Sequence, residues 1–296
     1  MPRHIISVLT SPARPDLDEH RANAIRGLFG GGDLNWLARG IAVEFHCGAL
    51  PDDAAAIADD TRLAGYDLVI QPAEGRRKAI LLADMDSTMI GQECIDELAD
   101  FAGIGPRVAE ITARAMNGEL DFHEALIERV GLLAGLPLSV IDRALAERIT
   151  LAPGGRELVA TMQANGGYCA LVSGGFTAFT GPVAKALGFH EHRANTLLDE
   201  GGVLTGHVAL PVLGRQAKID ALREIAAARG LGPADVLAVG DGANDLGMLS
   251  LAGTGVALHA KPVVAEQAAV RIDHADLTAL LYLQGYHRDE FTTELG

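Results

Sequence analysis

The sequence predicts an α/β fold: a mainly parallel sheet covered by helices on both faces, an inserted helical cap, and a small α+β unit ahead of them. Three observations lead to it. From Ala79 onward, apolar runs at 79–83, 168–172, 236–239 and 255–258 alternate with helix-forming stretches, as in a parallel sheet with crossover helices. The helix-rich block between the first two runs, residues 93–148, is too long for one crossover and reads as the cap. Residues 1–75 follow a different order, β-α-β-α-β, and run into a polar junction, Pro72 to Lys78, which divides the chain into 1–75 and 76–296.

Taken in order, His4 to Thr10 reads as a strand and Asp16 to Phe29 as a helix, halted by Gly30-Gly31-Gly32. A strand at 40–47, a helix at 51–64 and a strand at 66–71 complete the first unit. Within the cap, helix breaks are expected near Gly103-Ile104-Gly105-Pro106 and Gly135-Leu136-Pro137, where glycine and proline interrupt the pattern. Farther on, Ala194 to Leu198 and Val203 to Leu210 flank the turn formers Asp199-Glu200-Gly201-Gly202, a hairpin signal.

Composition narrows the function classes. A formal charge of −15 and a pI near 5.0 argue against non-specific binding to nucleic acid or an anionic membrane, so the partner expected is a small molecule. Cys47, Cys94 and Cys169 have neither disulfide nor zinc spacing, and the ten histidines show no ligand pairing. The start, Met1-Pro2-Arg3-His4, leads into no long apolar segment, and no run reaches membrane-spanning length. A soluble, cytoplasmic protein is expected.

Polar groups of complementary chemistry follow the predicted strands. Asp84 and Asp86 close the first, Ser173-Gly174-Gly175 the second, and Gly240-Asp241-Gly242-Ala243-Asn244-Asp245 the third; Lys218 lies at the start of the helix after the hairpin. Ligands of open α/β sheets bind beyond the carboxyl ends of the strands. Asp84 and Asp241, with a backbone carbonyl of Asp86, suit a hard cation such as Mg²⁺. Asp84 is placed to attack phosphorus and form an aspartyl phosphate; Asp86 is placed to protonate an alkoxide and later activate water. At neutral pH that requires burial or negative neighbours to raise Asp86 from its unperturbed pKa of about 3.9. Ser173 and the amides of Gly174 and Gly175 can take phosphoryl oxygens at a helix start, with Lys218 offsetting charge. Each feature alone is common turn or surface chemistry. All four together, in this order, are not.

These residues resemble the haloacid dehalogenase superfamily over roughly 79–285: Asp84-Met85-Asp86-Ser87-Thr88 is similar to its first motif, Ser173 to its second, Lys218 to its third and Gly240 to Asp245 to its fourth. The second acid, Asp86, matches the phosphatase branch rather than the dehalogenases. The resemblance is closer to the phosphoserine phosphatase family, through Glu93, the segment Gly118-Glu119-Leu120-Asp121-Phe122 leading to Arg129-Val130, and Val172-Ser173-Gly174-Gly175-Phe176. It implies a Rossmann-like core with a small helical cap, Mg²⁺, and hydrolysis of O-phospho-L-serine to serine and phosphate, the last step of serine synthesis.

Carried over by position, the resemblance implies Asp84 as nucleophile, Asp86 as acid and base, and Asp84, Asp86 and Asp241 as metal ligands. It implies Glu93 at the substrate ammonium, Arg129 at its carboxylate, and Ser173, Gly174, Lys218 and Asn244 at the phosphate and substrate. Asp245 would support the metal site, and Met116 and Phe122 would line the cap. Related esters, phosphothreonine or homoserine phosphate, are the alternative substrates. A phosphoryl-storing module like a response-regulator receiver is a rival, against which Asp86 and the cap both speak. The first unit resembles a shortened ACT-like regulatory module, with amino-acid sensing, dimer formation or plain packing as its expected roles.

Overall fold

The computed structural model describes residues 4–116 and 119–294. Its first unit comprises β1 (His4–Leu9), α1 (Glu19–Leu28), β2 (Asn35–Ala38), β3 (Ala42–Cys47), α2 (Ala54–Leu63) and β4 (Asp67–Pro72). The strands form a four-stranded sheet in the order β2-β3-β1-β4, with every pairing antiparallel. The observed β-α-β-β-α-β order has one strand more than the sequence reading gave it. β2 escaped because its four residues, Asn35-Trp36-Leu37-Ala38, are too few to alternate and meet β3 across a bulge.

The second sheet has six parallel strands in the order β12-β11-β10-β5-β6-β7: β5 (Ile80–Ala83), β6 (Tyr168–Phe176), β7 (Glu191–Asn195), β10 (Val236–Gly240), β11 (Thr254–Leu258) and β12 (Val270–Ile272). β5 is buried along its whole length, and its side chains divide by strand periodicity. Leu81 and Ala83 enter one core cluster, Ile80 and Leu82 the other. From β5 the chain winds outward to β6 and β7, then returns to β10 on the other side. The crevice between β5 and β10 is therefore the topological switch point, where this architecture leaves room for a ligand.

Two strands differ from expectation. β12 has only three residues, and β7 reads Glu-His-Arg-Ala-Asn, polar because it is the sheet's outer edge. Ala194 and Asn195, expected in a hairpin arm, belong to β7, and the hairpin is β8 (Leu197–Glu200) with β9 (Val203–Val208).

The cap consists of α3 (Cys94–Phe101), α4 (Gly105–Met116), α5 (Phe122–Gly131) and α6 (Ser139–Glu147). α3 and α4 are separated by a turn at Gly103, whose φ is +70°, and a capping box at Asp121 and Glu124 starts α5. The hairpin joins the cap through Gly135 N to Leu204 O, 2.8 Å, and Leu204 N to Leu136 O, 2.8 Å. The remaining helices, α7 (Gly155–Ala164), α8 (Thr177–Leu187), α9 (Arg215–Ala227), α10 (Leu246–Leu251), α11 (Pro262–Ala265) and α12 (Ala279–Leu283), belong to the core.

Candidate active site

A cavity of about 470 Å³ lies over the switch point, between the strand ends and the cap. Asp84, Asp86, Ser173, Gly174, Asp241 and Asn244 line it from the core, and Glu93, Phe122 and Arg129 from the cap side. Of the described site residues expected from the sequence, Lys218 and Asp245 do not line it, because both are buried in its floor. Phe122 is where the cap reading put it. The side chain of Met116 and residue Gly118 lie outside the described residues.

The floor is a buried charge cluster. Asp84 leaves the end of β5, while Asp241 and Asp245 follow β10, and one carboxylate oxygen from each lies within 4.8 Å of the others. Lys218, in the first turn of α9, reaches Asp84 Oδ1 at 2.7 Å and Asp245 Oδ1 at 2.5 Å. Asp84 Oδ1 also accepts from Met85 N at 2.8 Å, and Asp245 Oδ2 from Gly242 N at 3.0 Å. Burial opposes the Lys218 charge, yet Asp245 and Asp84 push its pKa above the ordinary lysine value. Burial pushes Asp84 up and Asp245 adds repulsion, while Lys218 pulls it down. Burial lifts Asp241 to about 6, against the pull of Lys261. A low-dielectric floor with one lysine among three acids favours a further positive charge, and hard carboxylate oxygens suit a divalent cation. The residues present therefore fit a metal. The sequence reading kept Asp245 in a supporting role; it stands in this acid cluster and also holds Lys218.

Asp86 points elsewhere. Its Oδ1 accepts from Cys94 N at 3.2 Å, at the start of α3, and its Oδ2 lies against Gly175, where a Cβ would come within 2.6 Å of it. A side chain at 175 would push the Asp86 carboxylate out of this position, and glycine leaves it room. Burial raises Asp86 to about 7, the Cys94 thiol and amide oppose it, and Glu93 adds to the rise. The condition set by the sequence reading is met, with burial as the main cause. A carboxyl titrating near neutrality can both give and take a proton.

Ser173 and Gly174 lie within the end of β6 rather than after it, in an irregular stretch where pairing with β7 shifts. Ser173 Oγ accepts from Gly175 N at 2.9 Å, so that amide, expected to face a phosphoryl oxygen, is already used. The buried Asn195 fixes this stretch. Its Nδ2 donates to Gly174 O at 2.8 Å and its Oδ1 accepts from Leu213 N at 2.7 Å, joining the end of β6 to the loop that leads into α9 and Lys218.

On the cap side, Ser87 adopts φ +54°, a conformation that costs a non-glycine residue energy, and its hydroxyl donates to Glu93 Oε1 at 2.9 Å. Arg129 Nε donates to Ala125 O at 3.2 Å, and Nη1 to Thr112 Oγ1 on α4 at 3.4 Å. Burial lowers the Arg129 pKa, and Asp96 and Glu93 offset this from a distance. Lys261, half exposed at the mouth, lies 3.9 Å from Glu93 Oε1 and 3.8 Å from Asp241 Oδ2. Sequence reasoning missed Thr112, Asn195 and Lys261. A single threonine, asparagine or lysine outside a motif carries no local signal, and Asn195 also sits on an unforeseen strand.

An acid cluster with a buried lysine at the switch point, beneath a lid that carries charges of both signs, defines an α/β enzyme with a capped anion site. The chain belongs to the haloacid dehalogenase-like hydrolase family, whose model matches residues 81–250. It is 43% identical over 253 residues to a phosphoserine phosphatase of Streptomyces coelicolor, covering 84% of this chain and 62% of that one. The chain thus spans less than two thirds of that relative's length. A second phosphoserine phosphatase, from Lactococcus lactis, is 43% identical over 69% of this chain and 94% of its own. Among solved structures, a HAD family hydrolase of Salmonella enterica serovar Typhi superposes with a TM-score of 0.85 at 31% identity, covering 97% of this chain and 99% of that one.

Proposed function

We propose that the protein hydrolyses O-phospho-L-serine to serine and phosphate through an aspartyl phosphate on Asp84, with Mg²⁺ as its metal. One observation carries the choice of substrate: Glu93 and Arg129, charges of opposite sign, face the same cavity as the strand-end acids. The guanidinium makes only the Ala125 and Thr112 contacts among the described residues. An amino acid brings one ammonium and one carboxylate, and a guanidinium fork recognises a carboxylate in two-point fashion. The relatives named phosphoserine phosphatase support the same reading.

In the proposed reaction Asp84 attacks phosphorus through Oδ2, since Oδ1 is occupied by Lys218 and the Met85 amide. Asp86, protonated near neutrality, gives its proton to the serine alkoxide, then takes one from the water that cleaves the aspartyl phosphate. The Ser173 hydroxyl, the Gly174 amide and Asn244 receive phosphoryl oxygens, and Lys218 offsets charge as it builds. Asp84 and Asp241, with the Asp86 carbonyl, would hold Mg²⁺, which neutralises phosphate charge when bound. The reading includes a division of labour between 1–75 and 76–296, with a cap at about 93–148, and a cytoplasmic location in keeping with three buried free cysteines. Comparing kcat/KM for phosphoserine, phosphothreonine and homoserine phosphate tests it. Phosphoserine is expected to lead, and a clear preference for another ester would reject the assignment.

A further inference from the structure

Besides packing on β12 and α12, the amino-terminal unit grips one loop of the core, and that loop lies against the cap hinge. Asp67, at the start of β4, is 1% exposed, and its carboxylate accepts from three successive backbone amides. Oδ1 takes Asp273 N at 2.8 Å, and Oδ2 takes His274 N at 3.1 Å and Ala275 N at 2.8 Å. From α2, Arg62 adds a second hold, with Nε 3.3 Å from Asp273 Oδ2 and its carbonyl 2.9 Å from His274 Nε2. A buried carboxylate saturated by three amides is costly to displace, so this end of the loop is fixed.

The loop's far end lies against the segment that returns from the cap. Leu277 N donates to Pro153 O at 3.2 Å, and Gly154, at φ +78°, packs so closely that a Cβ there would lie 2.7 Å from Thr278 N. Immediately before Pro153, the returning segment pairs with the outgoing one: Ala152 N to Met89 O at 2.9 Å, and Gly91 N to Thr150 O at 3.0 Å. Gln92 closes the ribbon, its amide joined to Thr150 N and Oγ1, each at 2.9 Å. This two-stranded ribbon is the only place among the described residues where the backbone passes between β5 and the cap and back. It also sets the spacing of Asp86 and Glu93, because Ser87 N donates to Gln92 O at 3.2 Å inside the same turn.

We propose that Asp67 is a positioning residue: by anchoring loop 273–278 it braces the cap hinge, and through the hinge it holds Glu93 in register with Asp86. The amino-terminal unit is then a fixed support of the substrate-reading turn. The hinge part of the proposal stands on geometry alone, and only its consequence for KM rests on the phosphoserine reading.

The test is residue-resolved hydrogen exchange on the full chain carrying Asp67→Ala or Asp67→Asn. The Asn variant preserves shape and one acceptor if the Ala variant fails to fold. The amides of Gly91 and Ala152 are expected to exchange at least about tenfold faster than in the wild type. The KM for phosphoserine is expected to rise about three- to tenfold, while an aryl phosphate that does not reach Glu93 keeps its KM. Faster exchange confined to 273–275, with Gly91 and Ala152 unchanged, would overturn the proposal, because Asp67 would then stabilise only its own contact. A wild type inactive on phosphoserine would reject the functional reading and leave the exchange result to decide this one.

Discussion

The floor of the site and its roof are built differently. On the floor, the buried Lys218, Asp84 and Asp245 are tied by contacts of 2.5–2.7 Å and anchored to backbone amides. On the roof, Arg129 is held by bonds of 3.2 and 3.4 Å, one within its own helix and one to a neighbouring helix. The floor is pre-organised for charge that develops during reaction, and pre-organised dipoles and charges act most strongly in a dry site. The roof keeps donors in reserve for a ligand. Reaction chemistry is thus assigned to the rigid part and substrate choice to the sparsely held part.

If that division holds, substitutions in the floor cripple every substrate alike. Asp84→Asn, which cannot form the acyl phosphate, is expected to lower turnover on the order of 10⁴-fold or more, for phosphoserine and aryl phosphate together. Rapid-quench detection of phosphoenzyme in the variant would contradict it. Asp86→Asn follows, with a loss of about 10²–10⁴-fold on phosphoserine and a smaller one on an aryl phosphate whose phenolate leaves without a proton. Because Asp86 titrates near 7 and must start protonated, kcat/KM for phosphoserine is expected to fall as pH rises above about 7. The aryl ester should show a flatter alkaline limb, and identical limbs for both would remove Asp86 from the role of acid.

The same contrast explains what could be read in the sequence. Buried strands announce themselves as apolar runs, and the four motif segments sit where the chain must stop, turn and present polar atoms, so β5, β6, β10 and their acids were legible. Short or polar edge strands were not, whereas the apolar edge strand β4 was legible at 66–71. β7 is polar, and β2 and β12 have only four and three residues, so their pairing depends on neighbours distant in sequence. Glu93 and Arg129 entered through family resemblance, since a charged residue on a helix is ordinarily solvated. Their hydrogen bonds with Ser87 and Thr112 are tertiary facts. Asp67 lay at the edge of a predicted strand with nothing local to mark it, because its three partners follow about two hundred residues later.

The roof should respond selectively. Arg129→Ala is expected to reduce kcat/KM for phosphoserine roughly 10- to 100-fold, the worth of one or two charge-assisted hydrogen bonds, with activity on a simple aryl phosphate largely kept. Equal losses on both would move Arg129 from recognition into structure. The smallest effect is the most discriminating. Thr112 accepts from Arg129 Nη1 through its hydroxyl, so Thr112→Val preserves shape and removes one hydrogen bond of the guanidinium, weakened by its 3.4 Å length to about 0.5–1.5 kcal/mol. Since the bond orients the guanidinium, the loss should appear in KM for phosphoserine, at about two- to tenfold, with kcat and the aryl phosphate unaffected. Thr112→Ser, which keeps the hydroxyl, should restore the wild-type KM. If valine and serine behave alike, the Arg129 fork is set by α5 alone, and the roof is more rigid than its contacts to α4 imply.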